Sequence, residues 1–108
     1  MFVSRLPPFD ISASRHNGDV TLTVSGELDL STSPGLRASL DEHRRLGTNV
    51  VLDLSSVSYM DSSGLNVLIA AIRRSAATGP SLRVRDNASE QVVSLLQMTG
   101  AHDYVPWT

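Results

Sequence analysis

The sequence predicts a small mixed-sheet α/β domain, and three observations carry that prediction. Two segments that alternate apolar and polar residues, Phe9 to Ser14 and Val20 to Val24, flank the turn-forming His16-Asn17-Gly18-Asp19. Val50-Val51-Leu52-Asp53-Leu54 is a nearly continuous apolar run of strand length. After Pro34, after Asp61 and after Asn87 the apolar period changes from two to that of a helix. The resulting order is β-β-α-β-α-β-α with an optional last strand. A hairpin opens the chain, and crossover units covered by three to four helices follow.

Each element has a local reason. Asn17 and Gly18 tolerate positive φ, and the β-branched Val20, Thr21, Thr23 and Val24 resume the strand behind them. Gly26-Glu27-Leu28-Asp29 is expected to leave that strand. Ser31, Thr32 and Ser33 offer capping hydroxyls ahead of Pro34, whose missing N–H costs nothing in a first helical turn. Leu36, Leu40, His43 and Leu46 then share a face, and Gly47 supplies the stop.

The run at 50–54 reads as a central strand buried on both faces, and Ser55 to Met60 as a loop. Leu65, Leu68, Ile69, Ile72 and Ala76 form the apolar side of a second helix that Gly79-Pro80 ends, with Arg73 and Arg74 as cations near its C-terminal end. Leu82 to Arg85 alternates as a strand. Asn87 or Ser89 can cap a third helix carrying Val92, Val93, Leu96 and Met98, and a last strand is placed at Tyr104-Val105.

The 108 residues suffice for one domain with its own core, assigned to residues 9–108 behind a short tail at 1–8. The tail has Pro7 and Pro8 where a signal peptide needs an apolar stretch, and no apolar segment approaches the roughly 20 residues a bilayer requires, so a cytoplasmic protein without membrane association is expected. There is no cysteine, which excludes thiol catalysis and thiolate zinc sites. All nine basic residues are arginine, which excludes lysine-dependent chemistry. The net charge of −2 and 5% aromatic content provide neither a basic face nor stacking platforms for nucleic acid. No cofactor and no metal are expected.

Chemistry concentrates in the segment from Val50 to Leu65, where a buried strand ends and delivers Asp61-Ser62-Ser63-Gly64 to a helix start. Ligands of open α/β sheets sit beyond the carboxyl ends of the strands, and free N–H groups at helix N-termini favour anions. Ser62 therefore stands where a phosphate could rest. The competing reading is that Asp61 or Ser62 merely caps the helix.

The run Val50-Val51-Leu52-Asp53-Leu54 leading into Met60-Asp61-Ser62-Ser63-Gly64-Leu65 resembles the phosphorylation-site signature of STAS-domain anti-sigma factor antagonists. Gly26-Glu27-Leu28-Asp29 resembles the family's second landmark, and the two have the family's order and separation. The resemblance implies a small mixed sheet with helices. It further implies an antagonist that, when unphosphorylated, binds a serine-kinase type anti-sigma factor and so frees a sigma factor. Phosphorylation by that kinase ends the binding, and a metal-dependent serine phosphatase resets it. Carried onto this chain, Ser62 matches the phospho-acceptor, and Asp29, Met60, Asp61, Ser63 and Gly64 are the implied partner-binding residues, with Gly64 admitting a partner backbone. Phosphorylation adds about −1.5 to −2 charges. A dianion buried in an interface costs a few kcal/mol, so binding is expected to fall 10²-fold or more while the domain keeps its fold.

Three other readings compete. A phospho-aspartate receiver requires a lysine and a wholly parallel sheet, whereas this chain has no lysine and opens with a hairpin; Asp53 is then a structural acid whose partner the sequence does not name. A serine hydrolase using Ser62 would need one of His16, His43 or His102 as base, and Met60 replaces the first glycine of a nucleophile elbow. A constitutive STAS subunit of a transporter or signalling assembly keeps the fold and leaves Ser62 unmodified.

Overall fold

The computed structural model describes residues 8–108. The tail expected over residues 1–8 lies, Pro8 excepted, outside the described residues. The elements are β1 (Asp10–His16), β2 (Asp19–Leu28), α1 (Ser33–Arg45), β3 (Val50–Met60), α2 (Ser62–Thr78), β4 (Leu82–Val84) and α3 (Glu90–Met98), followed by a 3-10 turn at His102–Tyr104. The four strands form one sheet in the order β1-β2-β3-β4. β1 and β2 are the antiparallel hairpin, with Asn17 at φ 52° and Gly18 at φ 88° in its turn. β2, β3 and β4 are parallel, so the mixed-sheet expectation holds.

β2 and β3 are both longer than the sequence suggests. β2 continues through Gly26, Glu27 and Leu28, and β3 continues from Leu54 to Met60, through the segment expected to be a loop. Register shifts between Thr23 and Ser25 and between Gly26 and Glu27 accompany this pairing. They stretch the inward spacing of β3 from every second residue to every third, so that Leu54, Val57 and Met60 are buried with exposed polar pairs between them. A period of three resembles neither a strand nor a helix, which is why the segment reads as a loop.

The central strand is not buried on both faces. Val50, Leu52 and Leu54 enter the core, while Val51 and Asp53 on the other face are only half-buried. β2 repeats the alternation, with Val20, Leu22, Val24 and Leu28 inward and Thr21, Thr23, Ser25 and Glu27 half-buried opposite. The core therefore fills one side of the sheet, where residues of α1, α2 and α3 join those of the strands. Asp53 on the open face finds its partner in Arg85, at 3.3 Å, and accepts hydrogen bonds from the Ser55 N–H and hydroxyl.

Leu36 and Leu40 of α1 are buried as expected, but Leu46 is 58% exposed, because the helix ends at Arg45 and the chain turns at Gly47. On α2 the buried face is wider than the predicted stripe: Leu65, Leu68 and Ile72 are joined by Val67 and Ala71, and Ala76 is exposed. Arg74 pairs with Asp41 of α1 at 3.1 Å, tying the two helices together. The last strand is displaced. His102–Tyr104 is a 3-10 turn, and the chain meets the outer edge of β4 two residues later, where Val84 N–H donates to Pro106 O (3.0 Å) and Thr108 N–H to Val84 O (2.9 Å). That contact covers the sheet edge. Trp107 donates its indole N–H to His102 O and packs against the core, while Tyr104 faces solvent.

Candidate functional site

The parallel strands β2 and β3 end side by side, Leu28 opposite Met60, and the two landmark segments continue from there. Asp61 N–H donates to Leu28 O at 3.1 Å, carrying the pairing one residue beyond the strand. Asp61 is extended (φ −106°, ψ −170°), and its Oδ1 accepts from the N–H groups of Ser63 (2.8 Å) and Gly64 (3.4 Å). Asp61 is thus the N-cap of α2, satisfying two amides that the helix itself leaves unpaired. Ser62 is the first residue of the helix, and its hydroxyl makes no hydrogen bond among the described residues. It is exposed. Of the two caps the sequence offers, Asp61 or Ser62, the structure takes Asp61, because an extended residue before the helix aims its carboxylate back at the first-turn amides.

Gly64 and Met60 support this arrangement from beneath. A Cβ on Gly64 would stand 2.9 Å from Leu28 Cβ and 3.0 Å from Met60 Cγ, so the close approach that glycine permits here is to β2 of its own chain. Met60 is 1% exposed. Its N–H donates to Gln91 Oε1 (2.6 Å) and its carbonyl accepts from Gln91 Nε2 (3.0 Å), so one side chain of α3 ties down the end of β3. Sequence reading misses Gln91, since its partner is a backbone 31 residues away and leaves no local signature. Both buried residues shape the site from inside, whereas Ser62 reaches its surface.

Asp29 organises the neighbouring loop. Its Oδ1 accepts from the Ser31 hydroxyl (2.7 Å), Ser31 N–H (3.0 Å) and Thr32 N–H (3.1 Å), and its carbonyl accepts from Ser33 N–H and the Ser33 hydroxyl. Thr32 in turn donates its hydroxyl to Glu27 O at 2.6 Å. The Ser31 hydroxyl above all, against some desolvation and with the Thr32 and Ser31 amides adding to it, holds the Asp29 carboxyl below its ordinary value. Gly26, at φ 89°, admits the close approach of the segment that leads into β1: a Cβ there would meet Phe9 Cα at 2.9 Å and Pro8 O at 3.1 Å. Of the second landmark, then, Gly26 admits the close approach of Pro8 and Phe9, Leu28 receives Asp61 and Gly64, and Asp29 sets the loop into α1.

Ser63 is half-buried and lines a shallow groove between the first turns of α1 and α2, with Leu30, Ser33, Pro34, Arg37, Asn66 and Val67. The histidines lie elsewhere. His16 ends β1 beside the hairpin turn and His43 is in the last turn of α1, both remote from the strand ends that hold Ser62, and the His102 ring lies tilted against Trp107 with ring centroids 5.1 Å apart. No group of acids and histidines able to hold a metal occurs among the described residues. No helix of the described residues is long and apolar enough to cross a membrane.

Residues 10–108 match the model of the STAS domain. The chain belongs to the STAS family. Over 96 residues, 89% of this chain and 87% of the relative, the STAS domain is 30% identical to the anti-sigma-B factor antagonist of Bacillus subtilis. Its fold matches the crystal structure of an anti-sigma factor antagonist from Mycobacterium paratuberculosis with a TM-score of 0.80 at 25% identity, over 93% of this chain and 85% of that one. It also matches the phosphorylated form of the Bacillus cell fate determinant SpoIIAA, with a TM-score of 0.68 at 19% identity, over 94% and 91%.

The STAS frame accounts for the site's electrostatics. Two carboxylates, Asp29 and Asp61, follow directly on the paired residues Leu28 and Met60, and two of the first-turn amides of α2, those of Ser63 and Gly64, already donate to Asp61. A phosphate on Ser62 would therefore gain less from this helix N-terminus than an uncapped one offers, leaving mainly the macrodipole, and would add to an acidic corner.

Proposed function

We propose that this STAS domain is an anti-sigma factor antagonist that binds a serine-kinase type anti-sigma factor through the surface around Ser62, and that phosphorylation of Ser62 switches the binding off. The observation that carries the proposal is the exposed Ser62 on the first turn of α2, whose hydroxyl has no hydrogen-bond partner among the described residues because Asp61 holds the cap. A kinase can reach this oxygen without unfolding the helix. The likeness to anti-sigma factor antagonists supplies the partner class, and the likeness in fold to a phosphorylated neighbour supports a domain that tolerates the modification.

Switching in this scheme is a local charge effect. The dianion would join Asp29 and Asp61 at a surface that the partner must desolvate, and the loss of one or two charge-assisted contacts there costs a few kcal/mol. Since about 1.4 kcal/mol is tenfold in affinity, a hundredfold loss needs no change of fold. A metal-dependent serine phosphatase would restore the binding form, and the cycle would run in the cytoplasm beside the sigma factor.

The test is calorimetric titration of wild type, Ser62→Ala and Ser62→Asp against the serine-kinase type anti-sigma factors of the same genome, each in turn. Wild type and Ser62→Ala are expected to bind one of them alike, and Ser62→Asp at least about tenfold more weakly. Absence of binding to all of them would turn the reading to a constitutive STAS subunit of a transporter or signalling assembly.

A further inference from the structure

Beside Ser62, on the α1 side, lie two exposed residues, Leu30 and Arg37, whose side chains make no hydrogen bond or ion pair among the described residues. Leu30 is 79% exposed, yet it sits within one of the most tightly held loops of the molecule. The Asp29 carboxylate takes the amides of both Ser31 and Thr32, and the Asp29 carbonyl takes Ser33, so the backbone on either side of Leu30 is fixed. An apolar side chain displayed on a fixed loop loses little further freedom on association, the property expected of a binding anchor.

Arg37 lies in the next turn and borders the same groove. The ion pairs among the described residues engage Arg45, Arg74, Arg85 and His102, and Arg37 enters none of them. The groove between Leu30 of the loop and Arg37 of α1 on one side and Ser63 and Asn66 of α2 on the other is lined, among the described residues, by no acid. The surface around Ser62 is thus divided, with Asp29 and Asp61 at the strand ends and one unneutralised guanidinium across the groove.

We infer that Leu30 and Arg37 form a specificity-determining patch for the anti-sigma factor, Leu30 filling an apolar recess of that partner and Arg37 receiving a partner carboxylate in the groove beside Ser63. The inference rests on the proposed antagonist function. Its content is charge complementarity: the partner must present a cation toward Asp29 and Asp61 and an anion toward Arg37. A partner with those charges exchanged would meet like charge at both places. An arginine suits this role because its planar fork receives a carboxylate through two parallel hydrogen bonds.

The experiment measures the affinity of the anti-sigma factor bound by wild type for Leu30→Ala, Arg37→Glu and, as a control on the outer part of α2, Arg73→Glu. Leu30 is exposed and Arg37 makes no ion pair among the described residues, so both variants are expected to melt as wild type does, which circular dichroism checks. Leu30→Ala and Arg37→Glu are each expected to weaken binding at least about tenfold, Arg73→Glu less than about twofold, and reversal of one acidic residue of the partner to arginine to restore binding to Arg37→Glu. Wild-type affinity in both patch variants, or an equal loss in Arg73→Glu, overturns the inference and leaves the antagonist function standing. No binding by wild type overturns both.

Discussion

Between Leu28 Cβ and the position a Cβ of residue 64 would take there are 2.9 Å, and the Leu28 carbonyl oxygen lies 3.2 Å from the same point. Gly64 is therefore where α2 rests on β2. Gly64→Ala is expected to lose about 1 to 3 kcal/mol by overpacking, outweighing the roughly 1 kcal/mol alanine gains in helix propensity. Urea unfolding checks this, and an unchanged or raised midpoint would show that the helix start can shift.

Gln91 joins α3 to the end of β3 through both polar groups of the Met60 backbone. Gln91→Ala is expected to cost about 1 to 3 kcal/mol, because a buried donor and acceptor lose their partners together. Amide hydrogen exchange is the sharper readout: protection should fall at Met60 while that of Leu22 in β2 is kept.

Asp29 and Asp53 make the acid limb of stability predictable. For Asp53 partial burial pushes the carboxyl up, but the Ser55 hydroxyl and N–H together with Arg85 outweigh it, and both acids end below the ordinary 3.8. A depressed folded-state value means that the unfolded chain takes up its protons first as pH falls. The contribution is whole well above pH 3.8, erodes below that value and is lost as pH falls through the folded-state values. Melting temperature should therefore drop as pH falls from about 5 to about 3, and drop less in an Asp29→Asn, Asp53→Asn double variant. An equal drop in that variant would assign the acid limb to other groups.

Leu68 of α2 is fully buried in the core. Leu68→Ala is expected to cost about 2 to 5 kcal/mol in urea unfolding. A loss below about 1 kcal/mol would contradict the packing of this helix.

How far the fold was legible depended on spacing. Where one side of an element is buried at a regular interval, as along Val20-Leu22-Val24 or Leu65-Leu68-Ile72, the pattern announced it. Where register shifts changed the interval, at Leu54-Val57-Met60, a strand looked like a loop. Val51 supplied the false sign of a two-sided burial, being an apolar residue on the open face. At the site, Asp61 and Ser62 were legible because a cap and a helix start are local events. Gln91 and the packing of Gly64 on Leu28 were not, since each depends on chain that is distant in sequence and has no periodic signature.

The most direct test of the account is intact-protein mass spectrometry with peptide mapping on the protein recovered from its own cells, wild type beside Ser62→Ala. Because Asp61 holds the cap, the substitution should change stability by no more than about 0.5 kcal/mol, so the two samples compare modification and not folding. The account predicts a single phosphate on the wild-type peptide containing Ser62 and none in the variant. Phosphate retained in Ser62→Ala, or absent from wild type through growth and stress, would contradict it.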